Sequence, residues 1–285
     1  MSAQIIDGVK IAAEIKADIK RQAMAYEQRT GRKPGLAVIL VGNDFASEIY
    51  VTRKMEACEQ NNIKSFEYRL PYSTTETELV ELITRLNDDA DVDGILVQLP
   101  LPEHIRENVV LSHISVNKDA DGFLAENAGN LMLGNPALNA CTPCGIIELI
   151  KSTGRKIDGA NAVVIGRSNI VGKPTALLLL ENHATVTMCH SHTTNFKDFT
   201  LNADIIVVAV GKKGFLRGDM VKKGCIVIDV GMNREGKNVC GDADFESVSK
   251  VADFITPVPG GVGPMTVTML LKNTVKAAKL ANGIE

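Results

Sequence analysis

Residues 161–172 read N-A-V-V-I-G-R-S-N-I-V-G, and Lys173 and Pro174 follow. An apolar run ending in Gly166, a short polar loop, Gly172 and a helical pattern over 172–182 has the strand, glycine turn and helix order of a dinucleotide phosphate site. Glycine lets a backbone approach a pyrophosphate, and the first amides of the helix are expected to point their N–H groups at it. The spacing is G-x-x-x-x-x-G rather than G-x-G-x-x-G, so a tight turn of any α/β protein fits the same residues.

The next apolar run discriminates further. It covers 184–189 and ends Cys189-His190-Ser191, where an NAD site usually carries an acidic residue for the ribose 2′-hydroxyl. No carboxylate stands there to repel a 2′-phosphate, and Arg167 and Ser191 can both donate to one, so NADP is favoured over NAD. His190 and His192 alternate beside this strand end without a third neighbouring ligand, which makes surface or cofactor-edge histidines the ordinary reading. Two later strands end in glycine-bearing segments, Val208 to Gly211 and Asp229 to Asn233, and are expected to line a cofactor cleft.

Around this segment, strands are expected at 161–166, 184–189, 204–210 and 224–230. An earlier β-α-β-α-β run has strands at 36–41, 65–70 and 94–99 and helices around 44–61 and 75–90. A first helix over about 9–28 carries Ile11, Ile15 and Ile19 on one stripe, and a last one over about 265–281 carries Met269, Leu270, Val275, Ala278 and Leu280. The stretch 112–143 reads as loop-rich. Alternation of this kind favours parallel sheets, because parallel strands need crossover connections.

The 285 residues allow one large or two medium domains, and 45% hydrophobic with 23% charged residues is an ordinary globular balance. The net charge of -3 and the lack of a long Lys/Arg block argue against a nucleic-acid partner. No apolar run nears the roughly 20 residues of a membrane span, and residues 1–10 lack a signal-peptide core, so a cytoplasmic protein is expected. The cysteines at 58, 141, 144, 189, 225 and 240 do not suggest a disulfide framework. Cys141 and Cys144 form a C-x-x-C with Pro143 suggesting a turn between them, but no second ligand pair stands at zinc spacing, so structural cysteines rather than a metal or redox role are expected.

Tyr50 and Lys54 lie four apart on the helix around 44–61 and share a face. A ring beside an amine suits a flat substrate and a proton transfer, although a solvated lysine beside a half-buried tyrosine accounts for the same spacing. Gln98 interrupts the apolar run I-L-V-Q-L-P-L-P at 95–102 and needs a partner if buried. Asp121, in K-D-A-D-G-F (118–123), also fits an Asp-Gly turn.

Taken together these segments resemble the bifunctional methylenetetrahydrofolate dehydrogenase/methenyltetrahydrofolate cyclohydrolase family. The resemblance spans P-G-L-A-V-I-L-V-G (34–42), S-E-I-Y-V-T-R-K (47–54), D-G-I-L-V-Q-L-P-L-P (93–102), V-V-I-G-R-S-N-I-V-G (163–172) and I-T-P-V-P-G-G-V-G-P-M-T (255–266). It implies a two-lobed α/β protein. An N-terminal α/β folate domain would take 1–142 plus 268–285, with the last helix returning to it, and a C-terminal Rossmann-like NADP domain would take 143–267. Tyr50 would stack on the folate, Lys54 would be the catalytic amine, Gln98 would position it and Asp121 would hold the polar edge of the pterin. Pro259, Gly260 and Gly261 look like the folate-side loop, and Gly166, Arg167, Ser168, Ser191 and Met232 fall at NADP positions. A homodimer built on the cofactor domain is also implied.

The chain departs from the family's usual residues at Ala120, at Leu124-Ala125 and at Met232, none of them a catalytic group. The implied chemistry is hydride transfer from the 5,10-methylene group to the nicotinamide, then attack of water on the methenyl cation to give 10-formyltetrahydrofolate. The first step needs positioning. The second needs proton transfers, for which Lys54 must be neutral, a form that burial and the substrate cation would favour. A relative lacking the hydrolase or using NAD, and a nucleotide-responsive binding protein without turnover, are the competing readings.

Overall fold

The computed structural model describes residues 2–135, 138–236 and 238–284; of the stretch expected to be loop-rich, 136 and 137 lie outside them. In chain order the elements are β1 (Gln4–Ile5), α1 (Gly8–Thr30), β2 (Gly35–Val41), α2 (Phe45–Gln60), β3 (Lys64–Leu70), α3 (Glu76–Asp88), β4 (Gly94–Val97), α4 (Glu107–Leu111), α5 (Ala125–Met132) and α6 (Cys141–Ser152). There follow β5 (Asn161–Ile165), α7 (Gly172–Glu181), β6 (Thr185–Cys189), α8 (Phe196–Thr200), β7 (Ile205–Val208), β8 (Ile226–Asp229), β9 (Asn233–Glu235), β10 (Asn238–Cys240), α9 (Phe245–Val248), β11 (Phe254–Ile255) and α10 (Val262–Ala281). The chain divides into two compact units, Met1–Ala13 with Ala140–Thr266 and Glu14–Asn139 with Val267–Glu285.

In the unit of residues 14–139 and 267–285, β2 is the middle strand of a parallel sheet of order β3-β2-β4. Every residue of β2 is buried, as an unbroken run of G-L-A-V-I-L-V requires of a strand covered on both faces. One covering layer is α3, whose Leu79, Leu82, Ile83 and Leu86 recur at helical spacing and join Ile39, Ile95 and Val97 in one core. A capping box starts that helix: Glu78 N–H donates to Thr75 Oγ1 at 3.2 Å and Thr75 N–H to Glu78 Oε2 at 2.8 Å.

In the other unit six of the described strands form a parallel sheet of order β1-β11-β8-β7-β5-β6. Counting from β5, the order of the five strands that follow the domain start is 2-1-3-4-5, the doubly wound arrangement whose switch point lies between β5 and β7. The apolar strands A-V-V-I, I-I-V-V and I-V-I are buried. At one edge β1 pairs in parallel with β11, Gln4 opposite Phe254 and Ile5 opposite Ile255. This pairing groups the first thirteen residues with the C-terminal sheet, whereas the sequence suggested continuity of residues 1–142; a two-residue strand carries no periodic signal.

Other elements also differ from expectation. The stretch 112–143 holds α5, with Asn127 and Leu131 buried four apart, and the start of α6. Pro143 stands in the first turn of α6, where its missing N–H costs no helical bond, so the C-x-x-C lies on one helix rather than across a turn. The antiparallel hairpin β9–β10 was not legible as strand. Among the described residues no helix is long and apolar enough to cross a membrane.

Candidate active site

Tyr50 and Lys54 project from α2, both half-buried. The start of this helix is fixed by Asp44, whose Oδ1 accepts from the Ser47 N–H at 2.8 Å. Lys54 Nζ donates to Gln98 Oε1 at 3.0 Å, and Gln98 Nε2 donates to the Leu99 carbonyl at 2.7 Å. The second bond turns the amide so that its oxygen faces the amine. Gln98 is not inside the strand, as expected, but one residue beyond β4; its N–H still reaches the Ile39 carbonyl at 2.8 Å. The ladder stops there because Pro100 and Pro102 have no N–H to continue it.

Asp121 belongs to the same group. Burial raises its carboxyl to about 6, the Lys54 charge pulls the other way, and Asp119 adds to the rise. By surface area Asp121 is only half-buried, so an accessible edge coexists with a densely surrounded carboxyl. Cys58, one helical turn beyond Lys54, is fully buried; burial pushes its thiol up to about 12, again against the Lys54 charge.

The turn-forming acid in K-D-A-D-G is Asp119, not Asp121. Asp119 is 3% exposed and accepts from the Gly122 N–H at 3.0 Å, the Leu124 N–H at 2.9 Å and Asn127 Nδ2 at 2.9 Å. On the other side, the Ala120 carbonyl accepts from Asn273 Nδ2 at 2.9 Å. Asp121 is thereby fixed from both neighbours. Sequence reasoning missed Asp119 and Asn273; two acids two residues apart before a glycine was the available signal for the first.

In the other unit, Gly166 directly follows β5 with φ of 124°, and a Cβ there would run into the Ala209 carbonyl just beyond β7. Glycine is required, and the opening it leaves lies at the β5–β7 switch point. Ile165 is registered with Cys189, so Arg167 and Ser191, both exposed, each stand two residues beyond a paired position on neighbouring strands.

One expectation fails. The amides at the start of α7 do not point outward: Val171 and Gly172 N–H both donate to Ser168 Oγ at 3.2 Å, and Lys173 N–H donates to the Ser168 carbonyl at 3.0 Å. Pro174 has none to offer. What remains to meet a phosphate is the exposed loop 167–170 itself. His190 and His192 are engaged locally, the His192 N–H donating to His190 Nδ1 at 3.2 Å, and among the described residues no His/Cys/Asp/Glu group could hold a metal ion.

Two buried acids organise the loops that leave the central strands. Asp229 accepts from the N–H groups of Gly231 and Asp242, both at 2.9 Å, and of Ala243 at 2.8 Å. Its carboxyl is raised to about 6 by burial, with those three donors and then the Asp242 carboxylate as the lesser influences, the donors lowering and the carboxylate raising. Asp242 accepts from the N–H groups of Val210 at 2.6 Å, Gly211 at 2.9 Å and Lys212 at 2.8 Å, and from Asn233 Nδ2 at 2.8 Å. Met232, 52% exposed, lies between Gly231 and Asn233, both held by this pair. The sequence marked these loops but not the acids; a carboxylate closing the apolar run I-V-I-D was the sign that amide partners were needed.

Pro259, Gly260 and Gly261 form a tight segment before α10, with Gly260 at φ of 104°. Gly8, at the start of α1, abuts the Gly261 carbonyl so closely that a Cβ could not be placed. The candidate residues thus fall into two groups: Tyr50, Lys54, Gln98 and Asp121 in one unit, Pro259 to Gly261 and the nucleotide residues in the other.

A doubly wound sheet with a glycine opening at its switch point, together with an α/β unit carrying a lysine held by an amide beside a carboxyl, defines a nucleotide-dependent enzyme of folded α/β class. The comparisons narrow it. Residues 6–121 match the catalytic domain of tetrahydrofolate dehydrogenase/cyclohydrolase, and residues 140–282 match the NAD(P)-binding domain of the same family. The chain belongs to this family. It is 54% identical over 281 residues to the bifunctional protein FolD of Acetivibrio thermocellus, covering 98% of each chain, and 56% identical over 277 residues to that of Campylobacter hominis, covering 97% of each. Its structure is similar to that of the bifunctional FolD enzyme of Campylobacter jejuni (TM-score 0.95, 48% identity, 98% of this chain and 100% of that one). It is also similar to the Trypanosoma brucei enzyme in complex with NADP cofactor and inhibitor (TM-score 0.94, 39% identity, 99% of both).

Proposed function

We propose that Tyr50, Lys54, Gln98 and Asp121, with Pro259, Gly260 and Gly261, receive the folate, and that Gly166, Arg167, Ser168, Ser191 and Met232 hold NADP. The activity is oxidation of 5,10-methylenetetrahydrofolate with NADP to 5,10-methenyltetrahydrofolate and hydrolysis of that product to 10-formyltetrahydrofolate. The observation that carries the assignment of residues is the 3.0 Å bond from Lys54 to Gln98 beside a carboxyl raised to about 6.

Two features support the cofactor reading: the close backbone approach that only a glycine allows at Gly166, and the exposed Arg167 and Ser191, each two residues beyond a registered pair of neighbouring strands, a guanidinium and a hydroxyl suited to a 2′-phosphate. Bound NADP supplies the hydride acceptor. Arg167 and Ser191 orient it by its phosphate, while the Asp229 and Asp242 pair fixes the loops around Met232.

On the folate side, the Tyr50 ring stacks on the pterin and Asp121 accepts from its amino and ring N–H groups. Loss of a hydride leaves a methenyl cation, and water attacking it must lose a proton. Lys54 takes that proton and returns one to the ring nitrogen as the ring opens. Gln98 fixes the direction of the amine without adding charge.

The unit of residues 14–139 and 267–285 takes the folate role in this reading, and the unit of residues 1–13 and 140–266 the NADP role. A cytoplasmic homodimer built on the cofactor unit, with tetrahydrofolates rather than nucleic acid or membrane as partners, belongs to the same reading and rests on the family resemblance.

The test follows purified protein with 5,10-methylenetetrahydrofolate and NADP, in parallel with NAD, recording reduced nicotinamide and the methenyl species by absorbance. NADP reduction with little methenyl accumulation is expected. Lasting methenyl build-up would remove Lys54 from its role, and no reduction with either nucleotide would overturn the reading.

A further inference from the structure

Cys141 and Cys144 are reduced thiols on the first turn of α6, the former buried and the latter half-buried. Nothing in the folate or NADP chemistry uses them. The remaining cysteines lie on separate elements: Cys58 on α2, Cys189 on β6, Cys225 before β8 and Cys240 on β10. In C-T-P-C the two thiols share one helical face, and the first turn of a helix is where a thiolate is favoured.

We propose that Cys141 and Cys144 form a redox-active dithiol whose oxidation to a disulfide changes the segment Pro259–Gly261. Cβ atoms three apart on a helix are about 5–6 Å from each other, and a disulfide needs about 3.5–4.5 Å. The bond therefore closes only if the first turn of α6 tightens. That turn is tied to the start of α10. Thr142 Oγ1 and Thr266 Oγ1 are hydrogen-bonded at 2.9 Å, and a Cβ on Gly145 would stand 2.7 Å from Met265 Cβ, so there is no slack between the two helices. Met265 and Thr266 follow Gly261 by four and five residues, on the first turns of α10. Tightening α6 displaces that start and with it the loop before it.

The oxidant is a small-molecule disulfide of the glutathione class. The Cys144 thiolate, the more accessible, attacks one sulfur of that disulfide and releases one thiolate. The Cys141 thiolate then attacks the Cys144 sulfur, forms the internal bond and releases the second thiolate. Two cysteine thiols are oxidised, one external disulfide is reduced, and the two protons go to the two departing thiolates.

The effect on substrate rests on the reading that Pro259–Gly261 meets the folate; the disulfide itself does not. Full-length protein is equilibrated against mixtures of reduced and oxidised glutathione, trapped by alkylation and mapped by mass spectrometry. Backbone hydrogen exchange of residues 256–266 and both KM values are measured on the same samples. The expected result is a Cys141–Cys144 disulfide, altered exchange in 256–266, a severalfold rise in KM for 5,10-methylenetetrahydrofolate with KM for NADP unchanged, and reversal by dithiothreitol. Cys144→Ser retains the activity of the reduced protein and loses every response to oxidation. A disulfide elsewhere, a glutathione adduct alone, or a Cys141–Cys144 disulfide with unchanged exchange overturns the proposal. Altered exchange with unchanged folate KM instead removes the loop from the folate side, and a reduced protein without activity counts against the functional reading while mapping and exchange still decide this one.

Discussion

Lys54 on α2 and Gln98 just beyond β4 are joined by a 3.0 Å hydrogen bond across 44 residues of sequence, and the amide oxygen that accepts it is oriented by a second bond to Leu99. If the amine moves the proton in hydrolysis, Lys54→Met lowers cyclohydrolase turnover by roughly 10²–10⁴-fold, the range of a single acid–base group. Binding of NADP, measured by calorimetry, stays at the wild-type level. Retained hydrolysis would end the assignment.

Asp121 gives a pH signature. Its carboxyl titrates at about 6, and only the ionised form accepts from two N–H donors of the pterin, so KM for the folate rises as pH falls through that value. Asp121→Asn raises KM at pH 7.5 by roughly tenfold, the worth of one charge-assisted bond, and flattens this limb of the profile. A variant with the wild-type pH dependence would assign the titration to another group.

Arg167 and Ser191 test cofactor choice. Removing a hydrogen bond to a charged group costs about 1.5–3 kcal/mol, or roughly 10–100-fold in affinity. Arg167→Ala should weaken NADP to that extent and leave NAD nearly unchanged, as read from steady-state KM values with each nucleotide. Equal losses for both would mean that Arg167 meets the shared pyrophosphate instead.

Asp229 links the loops to stability. Its carboxyl is raised from 3.8 to about 6 in the folded protein, so its contribution is fully present below about 3.8 and is lost as pH rises through about 6. Asp229→Asn turns an amide N–H toward donors and costs about 1–3 kcal/mol. The Tm advantage of the wild type over this variant should therefore be larger at pH 5 than at pH 8; a gap that widens at pH 8 would show that the folded protein favours the charged form.

Much of this protein was legible in its sequence because local pattern and local structure coincide. The apolar runs of β2, β5, β7 and β8 fall where they were expected, since a strand buried on both faces must be apolar throughout. Spacing put Tyr50 and Lys54 on one helical face, and the absence of an acid after Cys189 favoured NADP over NAD. Tertiary structure decided what depends on partners distant in the chain. The pairing of β1 with β11 rests on two residues, too few for a period, and α6 was hidden by a proline that its first turn tolerates. The internal use of the α7 amides by Ser168, the pinning of Asp121 by Asp119 and Asn273, and the hold of Asp229 and Asp242 on three loops are likewise absent from any local pattern. Sequence sets which groups must be buried or paired, because burial of an apolar run and exposure of a charge are local demands; which donor answers which acceptor is fixed only when the folded backbone brings them within reach.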